Sequence, residues 1–194
     1  PFENKGADED VFYSFGISAG LIKKCSQAGM IRVESLKEIE KIDNHYNLSA
    51  KELSQKLSVQ YIVTGTLWKV DNIFQLSIEV YNNEESKVVW SDHFEEDWNN
   101  LPQIKTKLAD GVLKTLDKKI DSSNPINIID SIAYEYYLKA SYKYYRRENS
   151  EDTEIVRSLY KKAIKLAPNL IEPMIGLGVT YLETGDYDSA KKIY

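Results

Sequence analysis

The chain reads as an α+β protein: a small α/β amino-terminal domain with an antiparallel meander, followed by an all-α array of helical hairpins. Three observations predict this. Phe74, Leu76, Ile78 and Val80 alternate with Gln75, Ser77 and Glu79, a period of two that buries one face of a strand and wets the other. From Ile129 onward the β signal is gone and apolar residues recur at helical spacing. Val156 and Ala190 stand 34 residues apart, as do Tyr160 and Tyr194, so the helical part repeats.

Taken in order, Pro1 and Phe2 read as the end of a strand. Asp8 to Gly29 reads as a helix, with Phe12, Phe15, Ala19 and Ile22 on its apolar side and Gly29 as its stop. Ile31 to Glu34 is a short strand candidate and Leu36 to Ile42 a short helix. Ser49 followed by Glu52 is a capping-box pattern that opens the next helix, whose apolar side is Leu53 and Leu57. Tyr61 to Val70 is rich in β-formers, Asp71-Asn72 is a two-residue turn, and Val88 to Phe94 follows a second turn over Asn82 to Ser86. Leu101, Ile104, Leu108, Val112, Leu116 and Ile120 mark a long helix expected to pack over the sheet. The polar, proline-bearing stretch that follows sets the expected boundaries: an α/β domain over 1–120, a linker over 121–128 and helical repeats over 129–194.

Composition narrows the function. A net charge of −5 argues against a nucleic-acid binder, which usually shows a basic face. Lys161, Lys162 and Lys165 are the obvious candidate for a local basic patch and read as a solvated helix face. Cys25 is the single cysteine, so it forms no internal disulfide and no zinc site by itself; its apolar helical setting predicts a buried thiol. No run approaches the roughly 18 apolar residues of a membrane span. A cytoplasmic location is expected, with the periplasm behind an anchor outside the chain as the alternative. The chain starts at Pro1 and stops at Tyr194 inside an amphipathic pattern, as expected of a piece of a longer protein.

The sequence carries few signatures of catalytic chemistry. His45 and His93 are the only histidines. Asp92 and His93 beside Glu95, Glu96 and Asp97 alternate faces along a strand and do not converge on one ion. Gly16-Ile17-Ser18-Ala19-Gly20 resembles a nucleophile elbow in outline, but no apolar strand precedes it, so Ser18 is expected on a helix surface or in a local cap. No Walker-type loop occurs. Asp8, Glu9 and Asp10 read as charge complementing a helix start. No catalytic residue, metal or cofactor is expected.

Within the repeat, Met174, Leu177, Gly178 and Tyr181, then Ala190 and Tyr194, follow the pattern W-x-x-L-G-x-x-Y…A-x-x-x-F, with Gly185-Asp186 at the intervening turn. This resembles the tetratricopeptide family. In the preceding unit Val156, Tyr160, Ala163 and Pro168 match the second helix. Its first helix is best placed with Tyr137, Ala140, Ser141 and Tyr144 packed, since the alternative register buries Lys139 and Lys143. That choice puts three extra residues in a loop around Glu148 to Asp152. The resemblance implies a concave groove for a protein or peptide, lined by Glu135, Leu138, Tyr142, Tyr145 and Arg146, then Glu172, Ile175, Val179, Leu182 and Glu183.

Upstream, Pro1-Phe2-Glu3-Asn4, Gly16, Val59 to Thr66 and Val89-Trp90-Ser91 form a second series. It is similar to the TolB-like and FlgO-like amino-terminal domains of bacterial signalling proteins, over about 1–120. The family often has glycine where this chain has Ser58. The resemblance implies an α/β sandwich used in assembly or signal relay, with homo-oligomerisation through this domain as one arrangement. Two alternatives stand beside it: the regulatory region of an adenylate/guanylate cyclase whose catalytic domain is outside the chain, and a small-ligand sensor with a pocket at the sheet edge.

Overall fold

The computed structural model describes residues 2–28, 32–116 and 129–193. Among these the protein is mixed α and β, with eight α-helices and one four-stranded sheet. The chain divides into two compact units, Pro1–Pro125 and Ile126–Tyr194; the linker expected at 121–128 lies outside the described residues.

In the first unit the sheet runs β1 (Glu3–Asn4), β2 (Tyr61–Val70), β3 (Ile73–Asn82) and β4 (Lys87–Asp97), neighbours in that order. β2, β3 and β4 form the expected antiparallel meander. The two-residue turn between β2 and β3 takes a positive φ at Asp71. β1 pairs parallel to β2, Glu3 opposite Thr66; a strand end is expected here from Pro1-Phe2-Glu3-Asn4, but its parallel partner is not. The strand expected at Ile31 to Glu34 does not form over 32–34, and Ile31 lies outside the described residues. A short β-rich run needs a neighbouring edge to pair with, and none takes it up; Arg32 and Glu34 instead pair with each other.

Register decides the core. Leu67, Leu76 and Phe94 lie side by side on one face, as do Val80 and Trp90. Phe74, Leu76, Ile78 and Val80 of β3 are buried. Two helices, α1 (Val11–Gln27) and α4 (Leu101–Thr115), pack on each other and on this face. Tyr13 of α1 meets Phe74 edge-on with ring centroids 4.9 Å apart, and Trp98 Nε1 donates to the Tyr13 hydroxyl at 3.3 Å. A Cβ at Gly111 of α4 would stand 2.7 Å from the Trp90 ring, so the absent side chain is what lets α4 seat there. The other face carries the polar row Thr66, Ser77 and His93. β4 is the sheet's edge, and it is irregular opposite Val80 and Tyr81 and rich in carboxylates, at Asp92, Glu95, Glu96 and Asp97.

Between them lie α2 (Leu36–Glu40), begun by Ser35, and α3 (Ala50–Leu57). The capping box is formed as expected: Ser49 Oγ accepts from the Glu52 backbone N–H, and the Ser49 N–H donates to the Glu52 carboxylate at 2.8 Å. α3 ends at Ser58, which adopts a left-handed φ of 54°. A residue with a Cβ is strained there, and glycine is not. Ser58→Gly is therefore expected to stabilise the first unit by about 0.5–1 kcal/mol, read from the urea midpoint; no gain would refute the strain assigned to this cap.

Ser18 corrects the expectation of a surface serine. It is buried, accepts from the Phe2 N–H at 2.7 Å and donates to the Ser14 carbonyl, tying β1's entry to α1. Cys25 is buried as expected, and burial pushes its thiol up to about 11.

The second unit is α5 (Ser131–Arg146), α6 (Ser150–Leu166), α7 (Ile171–Glu183) and α8 (Tyr187–Ile193). Each consecutive pair packs together. Residues 147–149 and 184–186 make two turns of equal length, the second holding Gly185 at a φ of 76°. Ala140, Val156, Tyr160 and Leu177 form the core, with Tyr137, Tyr144 and Tyr181 packed against it. This is the register that keeps Lys139 and Lys143 out: they pair with Glu135 and Asp152. The three extra residues are not in a loop, however. They extend α6 by a turn at its start, where Asn149 caps the Asp152 N–H at 2.9 Å.

Candidate functional site

Ten residues were expected to line a groove, and the two helices that carry them differ. On α7, Ile175 is 46% exposed and Leu182 44%, with Val179 half-buried between them and Ile171 exposed one turn before. At 100° per residue these four fall within one narrow arc of the helix. The opposite side of α7, Pro173, Leu177 and Thr180, is buried. An apolar side chain in this arc has no core to enter.

On α5 the expected row is largely covered. Leu138 is only 1% exposed, so it belongs to the core and does not line a surface. It continues a stripe with Ser131 and Tyr134, both buried, at helical spacings of three and four. A leucine one turn after a buried tyrosine on the same stripe is drawn in with it. Burial pushes the Tyr134 phenol far above its ordinary range. Tyr142 and Tyr145 are half-buried, and Arg146 is exposed with its guanidinium 5.9 and 5.5 Å from their ring centroids.

Two of the three acidic members, Glu135 and Glu183, are engaged within the unit. Glu135 holds Lys139. Glu183 accepts from the Tyr144 hydroxyl at 2.7 Å and from Arg147 at 2.8 Å, and Arg147 lies 3.8 Å from the centroid of the Tyr144 ring. Burial, and then the Glu183 carboxylate, raise the Tyr144 pKa. Glu183 thus fastens α5 to α7 and is not an open contact. Glu172 is half-buried on α7.

One residue that supports the surface was missed. Arg157 of α6 is buried, and its guanidinium donates to the Thr180 hydroxyl at 3.2 Å, the Thr180 carbonyl at 2.8 Å and the Thr184 hydroxyl at 2.6 Å. It also sits 4.2 Å from the Tyr181 ring centroid. The available signal was an arginine inside the apolar stripe Val156, Tyr160, Ala163, facing two threonines one turn apart.

In the first unit a depression of about 390 Å³ at the β1 edge is lined by Glu3, Asn4, Asp8, Val11, Ser14 and Tyr46. Glu3 pairs with Lys5, Asn4 bonds Ala7 and Gly6, and Ser14 bonds Val11. Asp92 and His93 lie on opposite faces of β4, opposite Ile78 and Ser77, and among the described residues no group of three or more metal-ligating side chains comes together. No described helix is long and apolar enough to cross a membrane. The sequence matches no protein-family model and no curated protein.

Proposed function

We propose that this chain is a non-catalytic protein-binding and regulatory segment of a larger bacterial signalling protein, a TolB-like unit followed by tetratricopeptide-type hairpins. The observation that carries the reading is the exposed row Ile171, Ile175, Val179 and Leu182 on α7. A contiguous apolar strip on one helix, backed by a packed core, is the surface that an amphipathic peptide covers. Tyr142, Tyr145 and Arg146 add the residue types that anchor interfaces. Support for the hairpin reading comes from Val156 and Ala190, which occupy corresponding buried places in α6 and α8.

The test is selection of peptides from a random displayed library on the native chain. Leu182→Ala and Tyr145→Ala are expected to weaken the selected peptides at least about tenfold with an unchanged circular dichroism spectrum. Equal binding by both variants would remove the surface from the interaction, and loss of helix would make these side chains core.

A ligand sensor is the second reading, favoured by the depression at the β1 edge. Most of the polar groups lining it already have partners inside the chain, which favours the first reading. Thermal stabilisation by a metabolite without peptide binding would reverse that order.

A further inference from the structure

The outer side of α6 carries positive charge that neither the α7 surface nor the core uses. Ser158, Lys161, Lys162 and Lys165 line an open depression of about 360 Å³ along the helix, with Glu154 and Arg157 at one end. Glu154 is paired with Arg157, and Arg157 is committed to Thr180 and Thr184. Lys139, Lys143 and Arg147 each hold a carboxylate; among the described residues none pairs with Lys161, Lys162 or Lys165. These three are exposed, and two of them are braced: Lys161 lies 5.8 Å from the Tyr181 ring centroid and Lys162 lies 5.4 Å from that of Tyr136. Braced side chains lose less freedom on docking.

Spacing narrows the occupant. Lys161 and Lys165 are one turn apart, a rise of about 6 Å. Alternate side chains of an extended peptide repeat at about 6.6–6.8 Å. An acid-x-acid segment therefore meets both ammonium groups in step. Ile155 and Leu166 are exposed on the adjoining side of α6 and offer contact to an apolar neighbour of those acids. A single-stranded nucleic acid has similar charge spacing but also needs free aromatic faces for its bases, and the nearby Tyr136 and Tyr181 faces are taken by the lysines themselves. We propose that this face of α6 docks an extended acidic segment of a partner protein, its alternate carboxylates on Lys161 and Lys165.

The probe is a fluorescein-labelled peptide of alternating glutamate and serine, titrated onto the whole chain by anisotropy at about 0.05 and 0.5 M NaCl. Binding is expected at low salt, weakening at high salt. Lys161→Glu with Lys165→Glu lowers affinity at least about tenfold, Lys161→Gln with Lys165→Gln lowers it less, and Lys191→Glu with Lys192→Glu, the same charge change on α8, leaves it unchanged. Leu182→Ala also leaves it unchanged, which separates this face from the α7 surface. The proposal is overturned if the native chain shows no salt-sensitive binding, or if both charge-reversal pairs lose affinity equally. It is also overturned if an oligothymidylate or phosphatidylserine vesicles bind this face more tightly than the peptide.

Discussion

Gly65→Val is expected to cost the first unit about 3 kcal/mol, at the upper end of overpacking penalties. A Cβ at position 65 would collide with the Ser77 carbonyl of β3 and stand 2.7 Å from the Phe2 ring. Phe2 is buried, with its ring lying over the gap that Gly65 leaves in β2. The ring could turn aside, but the carbonyl belongs to the strand paired with β2 and cannot move without breaking the ladder. A second substitution distinguishes the two clashes. If the ring were the obstacle, Phe2→Leu would rescue Gly65→Val; with the carbonyl as the obstacle it does not. Trp68, Trp90 and Trp98 all lie in the first unit, so tryptophan fluorescence in urea reports its unfolding directly. A midpoint within error of the native chain would refute the close approach.

Arg157→Ala should lower the stability of the second unit by about 2–3 kcal/mol, because hydrogen bonds from a buried charged donor are worth more than neutral ones. The guanidinium reaches three acceptors on α7 and the turn after it at once. Its fork geometry is what allows this, so Arg157→Lys should recover little. Arg157→Met keeps the apolar stem and separates packing from hydrogen bonding. The measurement is the helical signal on thermal unfolding, compared across the three variants. Native-like stability in Arg157→Met would show that the polar contacts contribute nothing.

What was legible in the chain was what short-range physics controls. The meander followed from alternation in 74–80 and the Asp71-Asn72 turn, and the helix start at Ser49 from a reciprocal side-chain pattern. The packed register of α5 followed from the cost of burying Lys139 and Lys143, which the structure places in surface ion pairs. What was not legible depended on distant partners. β1 is two residues whose strand character comes entirely from β2, some sixty positions away. Arg32 to Glu34 had the composition of a strand without a partner. Leu138 was assigned by its place in a repeat pattern, which sets its direction on the helix but not what lies against it. Arg157 drew no reading from the sequence, because its acceptors, Thr180 and Thr184, lie on another helix and the turn after it.

The carboxylates strung along β4 govern more than local charge. A terminal strand offers its unpaired main chain to any other strand that drifts near, and repelling charge is how such an invitation is withdrawn. Asp92 and Glu95 set that charge on β4, while Glu96 is paired with Lys107 of α4. Stripped of such charge, this margin would lie open to pairing with a strand of another copy.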